Sequence, residues 1–575
     1  MPGIPHEEPE MLDVSSGQPG MVVNDIINEE HSLLHGTENY QSTAGEDEDD
    51  ELLKAQKLNN GYAVPPSRLK VILVGMYMAS FLSALDMTVV STLLTTIASD
   101  LDAIPNMSWI ATAYLLSSAA FQPLYGKLSD IFGRKTILIM CDIFFAVGCI
   151  ICSFKSFPAL VIGRFVTGMG GSGFNTVCTV SVSDIVPLRD RGVFQGIANI
   201  AFSIGAASGG ILGGVIHDLL GWRWIFILQV PFTMLIGLAF YFFFNLPHGS
   251  PGLGSPGHVK EKLKRVDFLG SISLVSALMC ILLAASLGNQ YFSYTSFTFI
   301  GLIIGAMIAL SLFVYIELNV APEPILPITL MANRTVLSSS LCNWFFTMAT
   351  FTIIFYYPIY LNAVIELPPS KVGLRVIGNF VGVAIGSLSA GIYMKKTGRY
   401  YKLTIFSALV TWCGIFAFNF LTPHTSPRIQ MIMMTAPGFG YAIMLTVTLL
   451  ALISAAPVKF QAGTTSIQYT FRSTGSTIGV SIASAIFSNV LVKTLNAKIP
   501  EIVEDPKLAK SIIERALKNT DFARDQPKLI NEVLRSCYDT ACKSSFHFAT
   551  VIVSFGVVAG LFMRENKLHA SVDRD

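Results

Sequence analysis

Apolar residues along the chain are gathered into fourteen long runs, with polar residues between them. Each run is near or above the roughly 20 residues that an α-helix needs to cross the hydrocarbon core of a bilayer. The runs lie at about 71–97, 108–125, 136–154, 158–183, 194–216, 223–244, 268–288, 297–317, 336–361, 372–394, 403–421, 429–454, 465–492 and 545–563. The pattern therefore predicts an all-α membrane protein with about fourteen transmembrane helices.

The first part of the chain differs from the rest. Residues 1–69 contain no long apolar run and no Lys or Arg before Lys54, and they carry an acidic block over residues 46–51. Low hydrophobicity with high charge is typical of disorder, so we predict a disordered acidic tail over 1–69. The first apolar run begins only near Val71, which indicates a signal anchor rather than a removable leader.

Basic residues are concentrated in alternate loops. If the N-terminus is cytoplasmic, the inside loops hold Lys127, Arg134, Lys135, Arg189, Arg191, Lys260, Lys262, Lys264, Arg265, Lys395, Lys396, Arg399 and Lys402. The loops on the other side hold little beyond Lys155, Arg223, Lys371 and Arg428. Cytoplasmic loops carry an excess of Lys and Arg, so we predict that both termini are cytoplasmic.

The polar segment 493–544 is the exception among the short loops, and it falls on the non-cytoplasmic side. Cys537 and Cys542 lie in this predicted loop. They could form a disulfide there because that side is oxidising, or they could remain two thiols.

Composition agrees with a lipid environment. Of the 575 residues 52% are hydrophobic and only 13% are charged, whereas soluble domains carry roughly 25% charged residues. The net charge of +1, with no basic stripe outside the predicted cytoplasmic loops, argues against a nucleic-acid partner. No Cys/His cluster has metal-ligand spacing. We therefore expect no metal, no cofactor and no enzyme active site.

The strongest local motif is "GKLSDIFGRK" at residues 126–135, between spans 2 and 3. Gly126 and Gly133 would let the two helices turn tightly at the membrane surface. Asp130 can pair with Arg134 or with a neighbouring helix end, and such a pair could form and break as two helix bundles rock. Lys135 completes the motif. The alternative is an ordinary surface ion pair in a basic loop.

This motif resembles the loop 2–3 signature of the major facilitator superfamily. "LDMTVVSTLLTTI" at 85–97 and "RFVTGMGGSG" at 164–173 resemble the first-span and fourth-span motifs of its fourteen-span, proton-antiporting drug-transporter branch. Span 5 reproduces the glycine spacing of the antiporter motif, although Gly210 stands where that motif usually has proline. The matching glycines are Gly196, Gly205, Gly209, Gly213 and Gly214.

The resemblance covers about residues 70–565 and implies a major facilitator fold. Two six-helix halves at 70–245 and 321–564 would be joined by a cytoplasmic loop and two linker helices at 246–320, with a short cytoplasmic tail at 565–575. "KKTGRY" at 395–400 is a degenerate echo of the loop 2–3 signature, as an internally repeated fold would leave in its second half.

Asp86 lies well inside span 1, where an unpaired charge costs at least ~2.5–3.5 kcal/mol. It needs a partner, a cavity or a proton, and a carboxylate there suits both binding a cationic substrate and carrying a proton. In span 4, Arg164, Gly168, Gly171 and Asn175 share one helical face. We expect Arg164 to tune the proton affinity of Asp86. The alternatives are a structural hydrogen bond at Asp86 and an arginine that snorkels to the interface.

Other polar residues inside the spans are weaker candidates for a substrate path. Tyr114 and Gln122 share one face of span 2, and Arg472 in span 13 is a second intramembrane cation that could bind a carboxylate. Asn343 in span 9 is a further candidate. Each of these residues could equally be structural.

Two stretches, at 183–196 and 221–231, look most like those of fungal vacuolar basic amino acid transporters. That resemblance implies that lysine, arginine or histidine enters an acidic lumen in exchange for protons. The alternatives are a plasma-membrane proton:drug antiporter and an amino-acid sensor that does not transport.

The N-terminal tail contains two stretches with acidic-dileucine spacing, which commonly direct proteins to the vacuole through adaptor complexes. The two predicted sorting signals comprise Glu29, Leu33 and Leu34, and Glu48, Leu52 and Leu53. We therefore predict a vacuolar membrane location, with small cationic substrates, protons, lipid and sorting adaptors as partners.

Overall fold

The computed structural model describes residues 64–103, 108–246, 250–287, 295–321, 323–326, 328–367, 369–457, 460–503, 505–518 and 520–566. Within these ranges the chain forms fourteen long helices and no strand. The helices are α1 Pro66–Asp100, α2 Ser108–Phe132, α3 Arg134–Cys152, α4 Phe157–Ile185, α5 Leu188–Leu220, α6 Arg223–Phe243, α7 Phe268–Leu287, α8 Phe297–Asn319, α9 Arg334–Ala363, α10 Pro369–Thr397, α11 Tyr401–Ala417, α12 Pro427–Ala455, α13 Gln461–Lys498 and α14 Lys528–Leu561. The predicted all-α architecture of about fourteen spans is confirmed.

Twelve of these helices are long and apolar enough to cross a membrane by length and composition. The other two are α2 and α4, which carry more polar and small residues. They pack against each other, and α4 also packs on α3, so most of α4 is buried. Their polar residues therefore face other helices rather than lipid.

The long helices form two bundles and a linker pair. Helices α1–α6 share one apolar core, whose largest buried rings are Phe145, Phe174, Phe226 and Phe240. Helices α9–α14 share a second core that contains Phe346, Tyr357, Phe418 and Phe546. Helices α7 and α8 pack on each other, and α7 also contacts α2 and α13. The two predicted linker helices thus lie beside the bundles rather than inside them.

A carboxylate fixes the linker pair to the first bundle. Glu323, just after α8, pairs with Lys127 at 2.8 Å and with Arg265 at 2.6 Å. Partial burial raises the pKa of the Glu323 carboxyl, but the hydrogen bonds from Arg265 and Lys127 lower it further. The net pKa of Glu323 therefore lies below its usual range. Because Lys127 belongs to the loop 2–3 motif, the linker is tied directly to that motif.

Two glycine turns sit at equivalent places in the two bundles. Gly133 between α2 and α3 has φ +91°, and Gly398 between α10 and α11 has φ +67°. Residues with a Cβ rarely adopt this left-handed region. At Gly133 a Cβ would also lie 2.5 Å from the carbonyl oxygen of Leu253. The matching turns support an internally repeated fold.

The end of the predicted tail at 1–69 is wrong, because Val64 is buried and α1 begins at Pro66, inside the predicted range. Residues 1–63, with both predicted sorting signals, lie outside the described residues.

The polar segment 493–544 is not an extended loop. Helix α13 continues to Lys498, a separate amphipathic helix spans Pro506–Lys518, and α14 begins at Lys528. The polar side chains bind neighbouring segments: Tyr538 donates to the carbonyl of Ala516 at 2.6 Å, and Arg535 donates to that of Val364 at 2.8 Å. Apolar side chains of the same segment, such as Ile512 and Leu534, belong to the second core, so the segment is packed on the bundle.

The possible disulfide in this segment is wrong. Cys537 and Cys542 are both free and buried on α14. Five residues apart on one helix, the two side chains leave the axis in different directions, because facing positions are three or four residues apart. The two-thiol alternative is the one observed.

Candidate functional site

A buried ion pair joins α1 to α4 in the first bundle. Nη1 of Arg164 lies 2.5 Å from Oδ2 of Asp86, and neither side chain is more than 1% exposed. Nε of Arg164 also donates to the carbonyl of Ile110 at 3.4 Å, and its guanidinium lies 4.4 Å above the ring of Tyr114. The expected contact between Asp86 and Arg164 is confirmed, and the interpretation of Arg164 as a snorkelling residue is wrong.

The second oxygen of Asp86 accepts a hydrogen bond that was not predicted. Nε2 of Gln229, on α6, lies 3.4 Å from Oδ1 of Asp86 and also donates to the carbonyl of Ile225 at 3.1 Å. A lone amide in an apolar span was the available signal, but Gln229 was not among the predicted site residues. Because both oxygens of Asp86 are occupied, its carboxylate faces partners within the protein rather than a cavity.

A small cavity of about 20 Å³, lined by polar and apolar side chains, lies between the two bundles and is formed by α1, α4, α5 and α13. Its polar lining consists of Tyr77, Ser80, Asn175, Thr179, Gln195, Asn199, Tyr469 and Arg472. The predicted residues Asn175 and Arg472 are therefore brought together here. The contributions of α5 were not predicted, because only its glycines were singled out.

Hydrogen bonds connect this cavity to the ion pair. Nδ2 of Asn175 lies 3.5 Å from Oγ of Ser83, and that hydroxyl is 3.2 Å from the hydroxyl of Tyr114. The ring of Tyr114 in turn covers Arg164. A movement of Asn175 at the cavity wall can therefore be transmitted through Ser83 and Tyr114 to Arg164, the partner of Asp86.

Arg472 gives the cavity a positive charge. Its guanidinium lies 5.7 Å from the ring of Phe202 and 6.0 Å from that of Tyr469. Within the described ranges no ion pair is recorded for Arg472, and Asp86 is already neutralised by Arg164. The hydroxyl of Tyr469 bonds to that of Thr179 at 2.7 Å, which joins the two bundles across the cavity.

The predicted substrate-path residues Tyr114, Gln122 and Asn343 do not line the cavity. Gln122 accepts a hydrogen bond from Ser473 and so links α2 to α13. Asn343 is fully buried in the second bundle, where its Nδ2 donates to the carbonyl of Gln468 at 2.9 Å. Asn343 therefore joins α9 to α13 and lies away from the cavity.

The loop 2–3 motif forms a buried charge network. Arg134 contacts Asp130 at 2.6 Å and Asp184, at the end of α4, at 2.7 Å. The side chain of Arg134 is only 3% exposed, so the alternative of an ordinary surface pair is wrong. Lys135 donates to Asn245 at 2.7 Å. Asp184 was not predicted, because the motif itself supplied a partner for Arg134.

We define the motif end as the end of the molecule where the α2–α3 turn lies. The two bundles are in contact there. Asn199 donates to Ser387 at 3.1 Å, Arg191 donates to Gln461 at 3.2 Å, and Lys395 pairs with Asp190 at 3.2 Å. These bonds join α5 to α10 and α13, so the motif end is closed.

Small residues allow the backbones to approach closely at this closed end. A Cβ on Gly391 would lie 2.5 Å from the carbonyl of Gly192, one on Gly126 would lie 2.7 Å from the carbonyl oxygen of Ala462, and one on Gly196 would lie 2.8 Å from that of Ser387. Each of these contacts crosses between the bundles.

The other predicted glycines of α5 have different neighbours. Gly205, Gly209 and Gly213 pack against α1 inside the first bundle, and Gly214 has nothing nearby. The glycine motif therefore serves two interfaces rather than one.

Comparison with known proteins identifies the class of molecule. Residues 76–321 match the family model described as Major Facilitator Superfamily. "Multidrug resistance protein fnx1" of Schizosaccharomyces pombe is 35% identical over 507 residues, which cover 88% of this chain and 94% of that protein. "Vacuolar basic amino acid transporter 1" of Saccharomyces cerevisiae is 32% identical over 451 residues, which cover 74% of this chain and 79% of that protein.

A solved structure supports the architecture. The structure of the proton:xylose symporter XylE aligns with a TM-score of 0.55 and 14% identity, over 88% of this chain and 98% of that chain. Similarity at this level of identity concerns the fold alone.

Proposed function

The chain belongs to the Major Facilitator Superfamily and is a membrane transporter rather than an enzyme, and from this premise we propose that it is a proton-coupled antiporter that moves lysine, arginine and histidine across the vacuolar membrane into the lumen. The observation that carries the proposal is the Asp86–Arg164 pair, which is linked to a polar cavity containing Arg472.

In the proposed mechanism, the small cavity widens when the bundles rock, and a proton on Asp86 and a cationic substrate in the widened cavity exclude each other. Protonation of Asp86 removes the charge that neutralises Arg164, so positive charge increases beside the cavity. A cationic side chain in the cavity adds positive charge to the same region of low dielectric. Binding of one cation therefore weakens binding of the other, and exchange follows. Tyr114, Ser83 and Asn175 carry the coupling between the two positions.

The motif end is the proposed cytoplasmic side. With the N-terminus in the cytoplasm, the closed contacts between α5 and α10 block the cytoplasmic path. Asp130, Arg134 and Asp184 hold the ends of α2, α3 and α4 together at this closed end. In the proposed cycle, these ion pairs break when the bundles rock and form again when the motif end closes.

Arg472 provides a test for an amino-acid substrate. Its guanidinium would bind the α-carboxylate of lysine by charge-assisted hydrogen bonds, which contribute about 1.5–3 kcal/mol each. We expect Arg472→Gln to raise the Kd for lysine about tenfold to a hundredfold. Cadaverine is lysine without the carboxylate, so its transport should be unchanged or improved. Competition by both compounds for labelled uptake into proteoliposomes would measure this.

The same assay distinguishes the rival function. A cationic drug gains nothing from Arg472 and is repelled by its charge. If Arg472→Gln weakened cadaverine and lysine equally, the carboxylate role would be wrong. If neither compound competed but a cationic dye was transported, the chain would be a proton:drug antiporter, the function suggested by its similarity to multidrug resistance protein fnx1.

Location separates the vacuolar proposal from the plasma-membrane alternative. A fluorescent fusion of the full chain is expected at the vacuolar membrane. Alanine at Leu33, Leu34, Leu52 and Leu53 should move most of it to the cell surface, because adaptor binding requires both leucines of a signal. Changing the nearby apolar pair Val22 and Val23 to alanine is the control. A fusion that remained at the surface without any substitution would contradict the vacuolar proposal.

A non-transporting sensor is the second alternative. Such a protein would bind lysine without moving it. Saturable binding to the purified protein, with no uptake into proteoliposomes at any pH gradient, would favour the sensor over the transporter.

A further inference from the structure

A second acidic side chain lies inside the first bundle, away from the pair already described. Asp142 is the ninth of the nineteen residues of α3, a membrane-spanning helix, and is 6% exposed. Its Oδ1 is buried without a hydrogen-bond partner. No ion pair is recorded for Asp142 within the described part of the chain. A carboxylate in this position would therefore have one buried oxygen without a hydrogen-bond donor, and no recorded counter-ion, to stabilise its charge.

The opposite helix leaves room for the carboxyl group. Gly237 of α6 faces Asp142, and a Cβ at Gly237 would collide with Oδ2 of Asp142. Any larger residue at this position would force the carboxyl group to shift. The carboxyl of Asp142 is therefore packed directly against α6 as part of the α3–α6 contact.

One face of α6 connects this acid to the first one. Gln229, Thr233 and Gly237 are spaced by four residues and so lie along one face of the helix. Gln229 donates to Asp86, the hydroxyl of Thr233 donates to the carbonyl of Gln229 at 2.9 Å, and Gly237 faces Asp142. The two carboxyl groups thus lie along the same helix, with Asp142 nearer the motif end.

The other ionisable groups on the surrounding helices do not supply a counter-ion. Lys135 of α3 bonds to Asn245, just after α6, and covers the ring of Tyr241 on α6. From α4, Arg164 is paired with Asp86. The other cations on these helices are also paired: Lys127 with Glu323, Arg223 with Asp100, and Arg134 with Asp130 and Asp184. The remaining ionisable groups are the thiols of Cys141, Cys149, Cys152 and Cys178 and the phenols of Tyr114, Tyr125 and Tyr241. Thiols and phenols are neutral near pH 7.

We propose that Asp142 is a second proton-binding site of the carrier, protonated in the closed state and ionised only when the α3–α6 contact admits water. On ionisation the O–H bond of the carboxyl breaks and the proton passes to that water. Because α3 begins at Arg134 of the motif network, the contact is expected to open when the motif end opens. The proposal extends the proton-coupled mechanism above and rests on it for its role in transport.

The protonation itself can be tested without any substrate. Infrared difference spectra of the purified full chain between acidic and alkaline buffer should contain a carbonyl band from a protonated carboxyl in apolar surroundings. Asp142→Asn should remove one component of this band, and Asp142→Glu should retain it at a shifted frequency. Identical spectra for the unsubstituted chain and Asp142→Asn would overturn the proposal. If the band disappears as predicted, protonation of Asp142 is supported even if lysine is not the substrate.

Transport then tests the role. In proteoliposomes, Asp142→Asn should slow lysine uptake driven by a pH gradient by at least about tenfold, the order of loss for one missing proton-transfer group. Exchange of internal for external lysine at equal pH should be unchanged, and Asp142→Glu should restore gradient-driven uptake. A purely structural residue would impair both modes equally, and that result would exclude a coupling role.

Discussion

Replacing Asp86 with asparagine is expected to reduce proton-driven lysine uptake into isolated vacuoles to the level of vacuoles without the protein. The amide cannot carry the proton, and the buried Arg164 loses its only ion-pair partner in the described residues. Removing one partner of a buried pair typically costs about 3–5 kcal/mol of stability. Part of the loss could therefore come from misfolding, which requires a separate control.

The control removes both charges. Asp86→Asn combined with Arg164→Gln leaves no unpaired buried charge, so thermal stability should recover to near that of the unsubstituted chain. Uptake should remain absent, because the proton-binding group is still missing. Full bafilomycin-sensitive uptake in either variant would exclude Asp86 as the coupling residue. The measurements are labelled lysine uptake and the melting temperature of the purified protein.

Valine at Gly391 is expected to prevent closure of the motif end. A Cβ there would lie 2.5 Å from the carbonyl of Gly192 on the other bundle. Overpacking typically costs about 1–3 kcal/mol, which corresponds to roughly a tenfold to hundredfold shift between closed and open states. Uptake should fall by a similar factor. The bundles themselves should remain folded, because the contact lies between them.

The same helix offers a matched control. Gly373 of α10 has no atom within 4 Å of an added Cβ, so Gly373→Val should leave uptake unchanged. Maleimide labelling of a cysteine placed at Ser387, within the closed contact, should increase in Gly391→Val and not in Gly373→Val. Equal uptake in both variants would show that the Gly192–Gly391 approach is not needed for the cycle.

Most of the fold could be predicted from the sequence, because a helix in lipid must be continuously apolar over its length. The prediction also held for α2 and α4, whose polar residues face other helices. The loop predicted at 493–544 was wrong, because the segment is largely helical and its apolar side chains, such as Ile512 and Leu534, join the second core. Tyr538 and Arg535 also bond to neighbouring segments. Such bonds depend on which segments meet, and spacing along the chain does not reveal that.

The site was predictable where burial of a charge demands a partner. Asp86 had to be compensated, and Arg164 was the nearest cation on a glycine-lined face. Gln229 and Asp184 were not predicted, because Asp86 already had Arg164 as a partner and Arg134 already had Asp130. Asp142 was also overlooked. Its significance depends on the missing counter-ion and on Gly237 opposite, which only the packing of α3 against α6 shows.

The linker pair breaks the pseudo-symmetry of the transporter. Helix α7 contacts both α2 and α13, so protein covers that seam between the bundles. Along the other seam, between α5 and α10, apolar side chains such as Ile204, Ile211 and Ile385 are exposed. We therefore expect acyl chains to contact this flank of the interface between the bundles more than the flank that α7 covers. Changes in bilayer thickness or lateral pressure should then affect the α5–α10 contact more than the contacts that the linker pair covers.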